Sequence, residues 1–209
     1  MTNVFGAEFR RVEDREHLGE PAVVVVAVRT YDTTVDDLWD AVTTPERLAR
    51  WFTPVEGDLK LGGRYQLTGN ASGTIERCDP PEALNVTWEF AGAKSWVHLR
   101  LTPDGDRAKL TLEHIAHRDG AGAEHFKQFG PGAVGIGWDL SLHGLGWHLA
   151  DPEAPRDQAA IDAWSASTEG KTFVRESGEA WNAADVASGE NAGVARERSE
   201  RTIAAYTGG

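Results

Sequence analysis

The histidines of this sequence are the side chains best suited to chemistry near neutral pH. Residues 113–117 read Glu-His-Ile-Ala-His, but a strand would point His114 and His117 to opposite faces. His143 and His148 lie five residues apart, which on a helix separates them by about 140°. Zinc ligands must converge on one point, and the order within residues 113–117 is not that of a zinc protease. We therefore expect no metal site and no cofactor.

Covalent catalysis finds no support in the sequence. The chain has no Gly-x-Ser-x-Gly elbow for a nucleophilic serine. Gly62-Gly63 is not followed by the Gly-Lys-Ser/Thr of a phosphate loop. Cys78 is the only cysteine, so no intrachain disulfide can form and a reducing cytoplasm is the expected location.

The apolar positions of two neighbouring strands predict the register in which they pair. Residues 103–106, Pro-Asp-Gly-Asp, predict a hairpin turn between strands at 96–102 and 108–115. Matching the apolar faces predicts three inward pairs and one pair facing water, because a slip by one residue would expose the apolar set: Leu101 with Leu110, Leu99 with Leu112, Val97 with His114, and His98 with Glu113. His114 then faces the core, either hydrogen-bonded there or beside a cavity, where it could transfer protons.

A long helix is predicted from Pro131 to about Ala150, apolar along two opposite sides. One stripe should close over a sheet, and it consists of Val134, Trp138, Leu142, Leu145 and Leu149. The other stripe (Ile136, Leu140 and Trp147) needs a second cover. We expect helices of residues 151–209 to pack Trp164 or Trp181 there, with a homodimer partner as the alternative.

Glycines interrupt this helix at a cost of roughly 1 kcal/mol each relative to alanine. Gly135 and Gly146 flank the stripe that should face the sheet. They would leave either room for a ligand beside Trp138 or space for the close approach of a neighbouring element.

Two short helices should follow the apolar strand at residues 22–28. Thr34 can cap the first, which has one apolar stripe. Thr44-Pro45 starts the second, as a cap followed by proline at the first helical position. The apolar residues of the pair are Val35, Leu38, Trp39, Val42, Leu48, Trp51 and Phe52.

The motifs of this region resemble those of the START-like, or helix-grip, superfamily, and in particular the branch named for the activator of a heat-shock-protein ATPase. They are Leu38-Trp39-Asp40-Ala41, Thr44-Pro45-Glu46-Arg47-Leu48, Trp51-Phe52, Gly62-Gly63-Arg64-Tyr65, Gly73-Thr74-Ile75-Glu76, Asp79-Pro80-Pro81, Thr87-Trp88-Glu89 and Gly137-Trp138. The resemblance covers about residues 22–150. It implies an α+β fold in which a curved antiparallel sheet wraps around a long C-terminal helix.

Three regions are therefore predicted. Residues 1–21 are charged and mixed and should form an irregular N-terminal arm. Residues 22–150 should form the helix-grip domain. Residues 151–209 should form a helical extension that packs on this domain or on a partner subunit.

The resemblance also implies a cavity between the sheet and the long helix, although the same side chains could instead fill a solid core. The residues expected to line it are Trp51, Phe52, Tyr65, Leu67, Ile75, Trp88, Leu99, Leu112, His114, Trp138, Leu142 and Leu145.

Binding of a small hydrophobic molecule, such as a lipid, polyketide or aromatic compound, is the function that we expect. One alternative is an enzyme similar to polyketide cyclases, with His114 as acid or base and Tyr65 as proton donor. The other is a co-chaperone-like interaction module. The net charge of −12 argues against nucleic acid, and no apolar run approaches the roughly 20 residues that span a bilayer.

Overall fold

An antiparallel sheet forms the body of the molecule over residues 6–208, the part of the chain that this computed structural model describes. Its eight strands are β1 (Phe9–His17), β2 (Glu20–Tyr31), β3 (Val55–Gly57), β4 (Arg64–Leu67), β5 (Ser72–Asp79), β6 (Ala83–Phe90), β7 (Ala93–Asp104) and β8 (Arg107–His117). They are ordered β1-β2-β8-β7-β6-β5-β4-β3. The sheet curves around one long helix, so the predicted α+β helix-grip fold is confirmed.

Seven helices occur within the same described residues. They are α1 (Val35–Thr43), α2 (Pro45–Trp51), α3 (Ala123–Phe129), α4 (Gly132–Ala150), α5 (Gln158–Ala166), α6 (Thr168–Ala187) and α7 (Ala192–Thr207). The long helix α4 is the one that the sheet grips, and it has the predicted limits.

The helices α1 and α2 begin at the residues that the capping pattern predicts. The Thr34 hydroxyl accepts a hydrogen bond from the Asp37 amide at 3.2 Å, which satisfies a free N–H of the first turn. Pro45 begins α2, where its missing N–H costs nothing. Leu38 and Val42 are buried, so the predicted stripe faces the core.

The predicted register between β7 and β8 is confirmed. Leu101 pairs with Leu110, and Val97 with His114. On the other face His98 pairs with Glu113, with its Nδ1 4.0 Å from the carboxylate.

The irregular arm predicted for residues 1–21 is wrong over Phe9–His17, which form the edge strand β1 paired with β2. Six of its nine side chains are charged, so no apolar alternation marks it as a strand. Val12 is buried, and Arg10 bonds to Asp139. Residues 1–5 lie outside the described part of the chain.

The C-terminal helices pack against the outer side of α4. Trp164 packs against Trp147 with ring centroids 5.4 Å apart. Trp181 is fully buried against Gly135, where a Cβ would overlap its indole. Of the two roles considered for Gly135, room for a ligand or the close approach of a neighbouring element, the structure shows the second.

Asp139 joins this outer layer to the rest of the protein. It is 0% exposed, and its carboxylate accepts four hydrogen bonds. The donors are the Ala7 amide at 2.8 Å, Arg10 Nε at 2.9 Å, Ser177 Oγ at 2.5 Å and Trp181 Nε1 at 3.0 Å. A buried charge needs such compensation, so the N-terminal segment, α4 and α6 meet at one side chain. No sequence pattern around Asp139 predicts this role.

Candidate functional site

A cavity of about 170 Å³ lies between the concave face of the sheet and the inner side of α4, beneath α1 and α2. Ten of the residues predicted to line it do so: Trp51, Phe52, Tyr65, Leu67, Ile75, Trp88, Leu99, Leu112, Trp138 and Leu142. Other side chains that were not predicted to line the cavity complete the wall, among them Val42, Leu48, Leu59, Cys78, Leu84, Val86 and Ser141. The cavity is lined almost entirely by carbon.

Leu145 and His114 do not line the cavity. Leu145 is fully buried in the main core, one turn beyond Leu142, where α4 also contacts β2 and α1. His114 faces inward as the register requires, but Trp138 and Trp88 lie beside its ring, with centroids 5.9 and 6.2 Å away.

Four aromatic side chains form one corner of the cavity, which we call the aromatic corner: Trp51, Phe52, Trp88 and Trp138. The Phe52 ring lies 5.4 Å from Trp51 and 6.3 Å from Trp138, and in both pairs the planes are within 30° of parallel. Trp88 stands at 61° to Trp138, with centroids 5.2 Å apart. The corner thus presents ring faces along one wall and a steeply inclined ring beside it.

His114 holds part of this corner in place. The Trp138 indole N–H donates to His114 Nδ1 at 3.0 Å. Nδ1 is therefore the acceptor, so the proton is assigned to Nε2, which donates to Ser95 Oγ at 2.9 Å. The Ser95 hydroxyl in turn donates to the Trp88 carbonyl at 3.2 Å. Burial lowers the pKa of His114 to about 4, so the neutral imidazole that this relay requires is the form present at pH 7.

The hydroxyl groups of the lining are also engaged. Tyr65 donates to the Thr87 carbonyl at 2.7 Å, and burial raises the pKa of its phenol. Thr43 and Ser141 donate to the backbone carbonyls of their own helices at 2.7 and 2.8 Å. No charged side chain is part of the described lining. The site can therefore hold an apolar surface but offers little to a charged one.

The mouth of the cavity lies near the end of α2 and the segment before β4. Leu59 lines the cavity and is 39% exposed, whereas Leu61 is 63% exposed and lies outside the lining. Arg156, beyond α4, donates to the Phe52 carbonyl at 2.6 Å. The C-terminal segment thereby contacts a residue of the aromatic corner.

Metal ligands do not gather anywhere in residues 6–208, where no three His, Cys, Asp or Glu side chains lie close enough to hold an ion. In the same part of the chain, none of the helices has the length and apolar character needed to cross a membrane.

A curved antiparallel sheet that grips a long helix over an apolar cavity defines a START-like protein. The chain belongs to the family described as activator of Hsp90 ATPase homolog 1-like proteins, whose model matches residues 32–150. No curated protein matches the chain.

Solved structures agree with this assignment. CalU16 from Micromonospora echinospora is 34% identical; its solution structure covers 90% of this chain and 100% of CalU16 with a TM-score of 0.72. The crystal structure of CalU16 covers 84% and 96%, with a TM-score of 0.67. MLL2253 from Mesorhizobium loti is 20% identical over 63% of this chain and 99% of that protein, with a TM-score of 0.55, and shows the fold alone.

Proposed function

We propose that this protein binds a small hydrophobic molecule in the cavity between the sheet and α4. The observation that carries the proposal is the open, apolar cavity of about 170 Å³. A water molecule takes a share of about 30 Å³ in the liquid, and protein interiors contain few larger voids. A cavity of this size beside partly exposed tryptophans gains stability from an apolar occupant.

Binding is better supported than catalysis by the state of the polar groups. The cyclase alternative relies on His114 and Tyr65, but both nitrogens of His114 have partners and the Tyr65 hydroxyl donates to Thr87. Neither group is positioned to give a proton to a molecule in the cavity. A co-chaperone-like module would bind its partner through an outer surface. The cavity, by contrast, lies inside the domain, between the sheet and α4.

Native mass spectrometry of the purified full-length protein tests the proposal. We expect a hydrophobic molecule to accompany the chain and to be identified after extraction. The protein emptied of it should bind N-phenyl-1-naphthylamine, an uncharged probe that fluoresces in apolar surroundings.

Two tryptophans of α4 provide a matched pair of variants. Trp138 lines the cavity, whereas Trp147 lies on the outer side of the same helix and is 48% exposed. Trp138→Ala should weaken probe binding about tenfold or more, because burial of a large apolar side chain is worth about 1.5–3 kcal/mol. Trp147→Ala should leave it unchanged. Circular dichroism establishes that both variants fold. Equal affinities in the folded variants, or no bound molecule and no probe binding in the parent protein, would reject the proposal.

A further inference from the structure

We infer that the occupant of this cavity is an uncharged molecule built on fused or linked rings, and not a fatty acid or another charged acyl chain. The inference rests on the proposed function and specifies its ligand class. Four features of the site support it: the size of the cavity, its lack of charge, its aromatic corner and the rigidity of that corner.

The size of the cavity sets the scale of the enclosed part. An engineered apolar cavity of about 150 Å³ in another protein stays dry and binds benzene. The present cavity, at about 170 Å³, therefore encloses a unit of one or two rings. A larger molecule would extend past Leu59 into solvent.

The described lining offers no counter-ion to a charged group. It contains no charged side chain, and its hydroxyls at Thr43, Tyr65 and Ser141 already donate their protons to backbone carbonyls. The nearby Arg156 donates to the Phe52 carbonyl and to Gln158. A carboxylate taken into the cavity would lose water without gaining a counter-ion, which is strongly unfavourable.

The aromatic corner favours rings over a flexible chain. The near-parallel rings of Phe52 and Trp138 offer faces for offset stacking, and Trp88 offers an inclined ring for edge-to-face contact. Such aromatic pairs are worth about 0.5–1.5 kcal/mol beyond the area they bury. A flexible chain lacks this gain and loses conformational freedom as well.

Hydrogen bonds hold two of the four rings of the corner, those of Trp51 and Trp138, in place. The relay through His114 and Ser95 joins the Trp138 indole to the Trp88 backbone. The Trp51 indole donates to the Ala41 carbonyl at 2.9 Å. A site that is already ordered spends little of its binding energy on reorganisation, and a flat, rigid ligand suits it for the same reason.

Four ligands of similar carbon number separate charge from shape: naphthalene, 1-naphthoate, 1-decanol and decanoate. Their affinities for the full-length protein at pH 7.5 are obtained by displacement of N-phenyl-1-naphthylamine and by quenching of tryptophan fluorescence. Naphthalene should bind most tightly. 1-Naphthoate should bind with lower affinity than naphthalene, and decanoate with lower affinity than 1-decanol. Each difference should be about tenfold or more because of the unpaired charge.

The outcomes distinguish this inference from the proposed function. Binding of decanoate or 1-naphthoate as tight as that of its uncharged counterpart would overturn the inference and leave the binding function standing. The same holds if 1-decanol binds more tightly than naphthalene. If none of the four ligands binds and the probe also fails to bind, the proposed function itself is rejected.

Trp88→Leu tests the role of the rings without introducing polarity. The variant keeps an apolar wall, so the affinity for naphthalene should fall severalfold while that for 1-decanol changes little. Trp147→Leu, outside the cavity, should change neither. An unchanged ratio of the two affinities in a folded Trp88→Leu protein would contradict recognition through the aromatic corner.

Discussion

The two long sides of α4 are both apolar in sequence, yet they are covered in different ways. On the outer side, Trp181 fills the space in front of Gly135 and Asp139 is completely enclosed. On the inner side, Trp138 and Leu142 line an open cavity. An apolar stripe thus indicates that a helix side is covered, but not whether protein atoms alone provide the cover. Variants that disturb one side and spare the other test this contrast.

Asp139→Ala should have the largest effect, on the outer side. The carboxylate accepts hydrogen bonds from four donors in two segments, the N-terminal segment and α6, and breaking a buried charged cluster costs about 3–5 kcal/mol. Urea unfolding should show a loss of that order. Asp162→Ala, at an exposed position of α5, should cost less than about 0.5 kcal/mol. If the two variants are equally stable, Asp139 does not hold the outer layer together.

Lowering the pH should reduce the free energy of unfolding through His114, which lies on the inner side of α4. Its pKa is lowered to about 4 in the fold from an ordinary value near 6.5, so unfolding takes up a proton between these pH values. This contribution to stability is present above about pH 6.5 and is lost as the pH falls towards about 4, by roughly 3 kcal/mol in all. His114→Gln should reduce the loss measured by urea unfolding at pH 7 and about pH 4.5.

His143, on the outer side, is the matched control. Burial, and then the positive charge of Arg29, lower the pKa of His143 to about 4 as well. His143→Gln should therefore also reduce the loss in acid, but only His114→Gln should weaken probe binding. Unchanged acid sensitivity in His114→Gln would show that its imidazole is not held neutral by the fold.

Gly135→Ala should have a smaller effect. A Cβ at this position overlaps the Trp181 ring, and overpacking typically costs about 1–3 kcal/mol. Gly137→Ala meets only the Tyr206 hydroxyl at 3.1 Å, and Tyr206 is partly exposed and can move. Alanine is the better helix former by about 1 kcal/mol, so this control should be neutral or stabilising. Thermal unfolding compares the two, and equal melting temperatures would argue against close packing at Gly135.

The parts of the fold that the sequence predicted are those governed by local patterns. The β7–β8 register follows from alternating apolar residues around a clear turn, and α1 from Thr34 and the stripe that includes Leu38. The short strand β3, the helix α3 and the edge strand β1 have no such pattern. β1 is held by backbone pairing with β2 and by contacts far along the chain, such as that between Arg10 and Asp139.

Most of the cavity wall could be predicted because alternate residues of a strand point to the same face of the sheet. The family resemblance indicates which face is concave. The details of the wall depend on side-chain rotamers and on the line that α4 takes across the sheet. His114 was placed on the correct face, but its bonds to Trp138 and Ser95 join three elements and leave no mark in the sequence. Asp139 resembles a surface residue until Ala7 and Trp181 are placed beside it.

The enclosed carboxylate of Asp139 depends on residues that lie outside the segment matched by the family model. The family match spans residues 32–150, which include Asp139 but none of its four hydrogen-bond donors. The segment also omits β2, the strand that joins β1 to β8. A fragment trimmed to the matched residues would expose a charge that the whole chain neutralises and would break the sheet at its second strand. The family model therefore matches a segment smaller than the unit that the hydrogen bonds of Asp139 hold together.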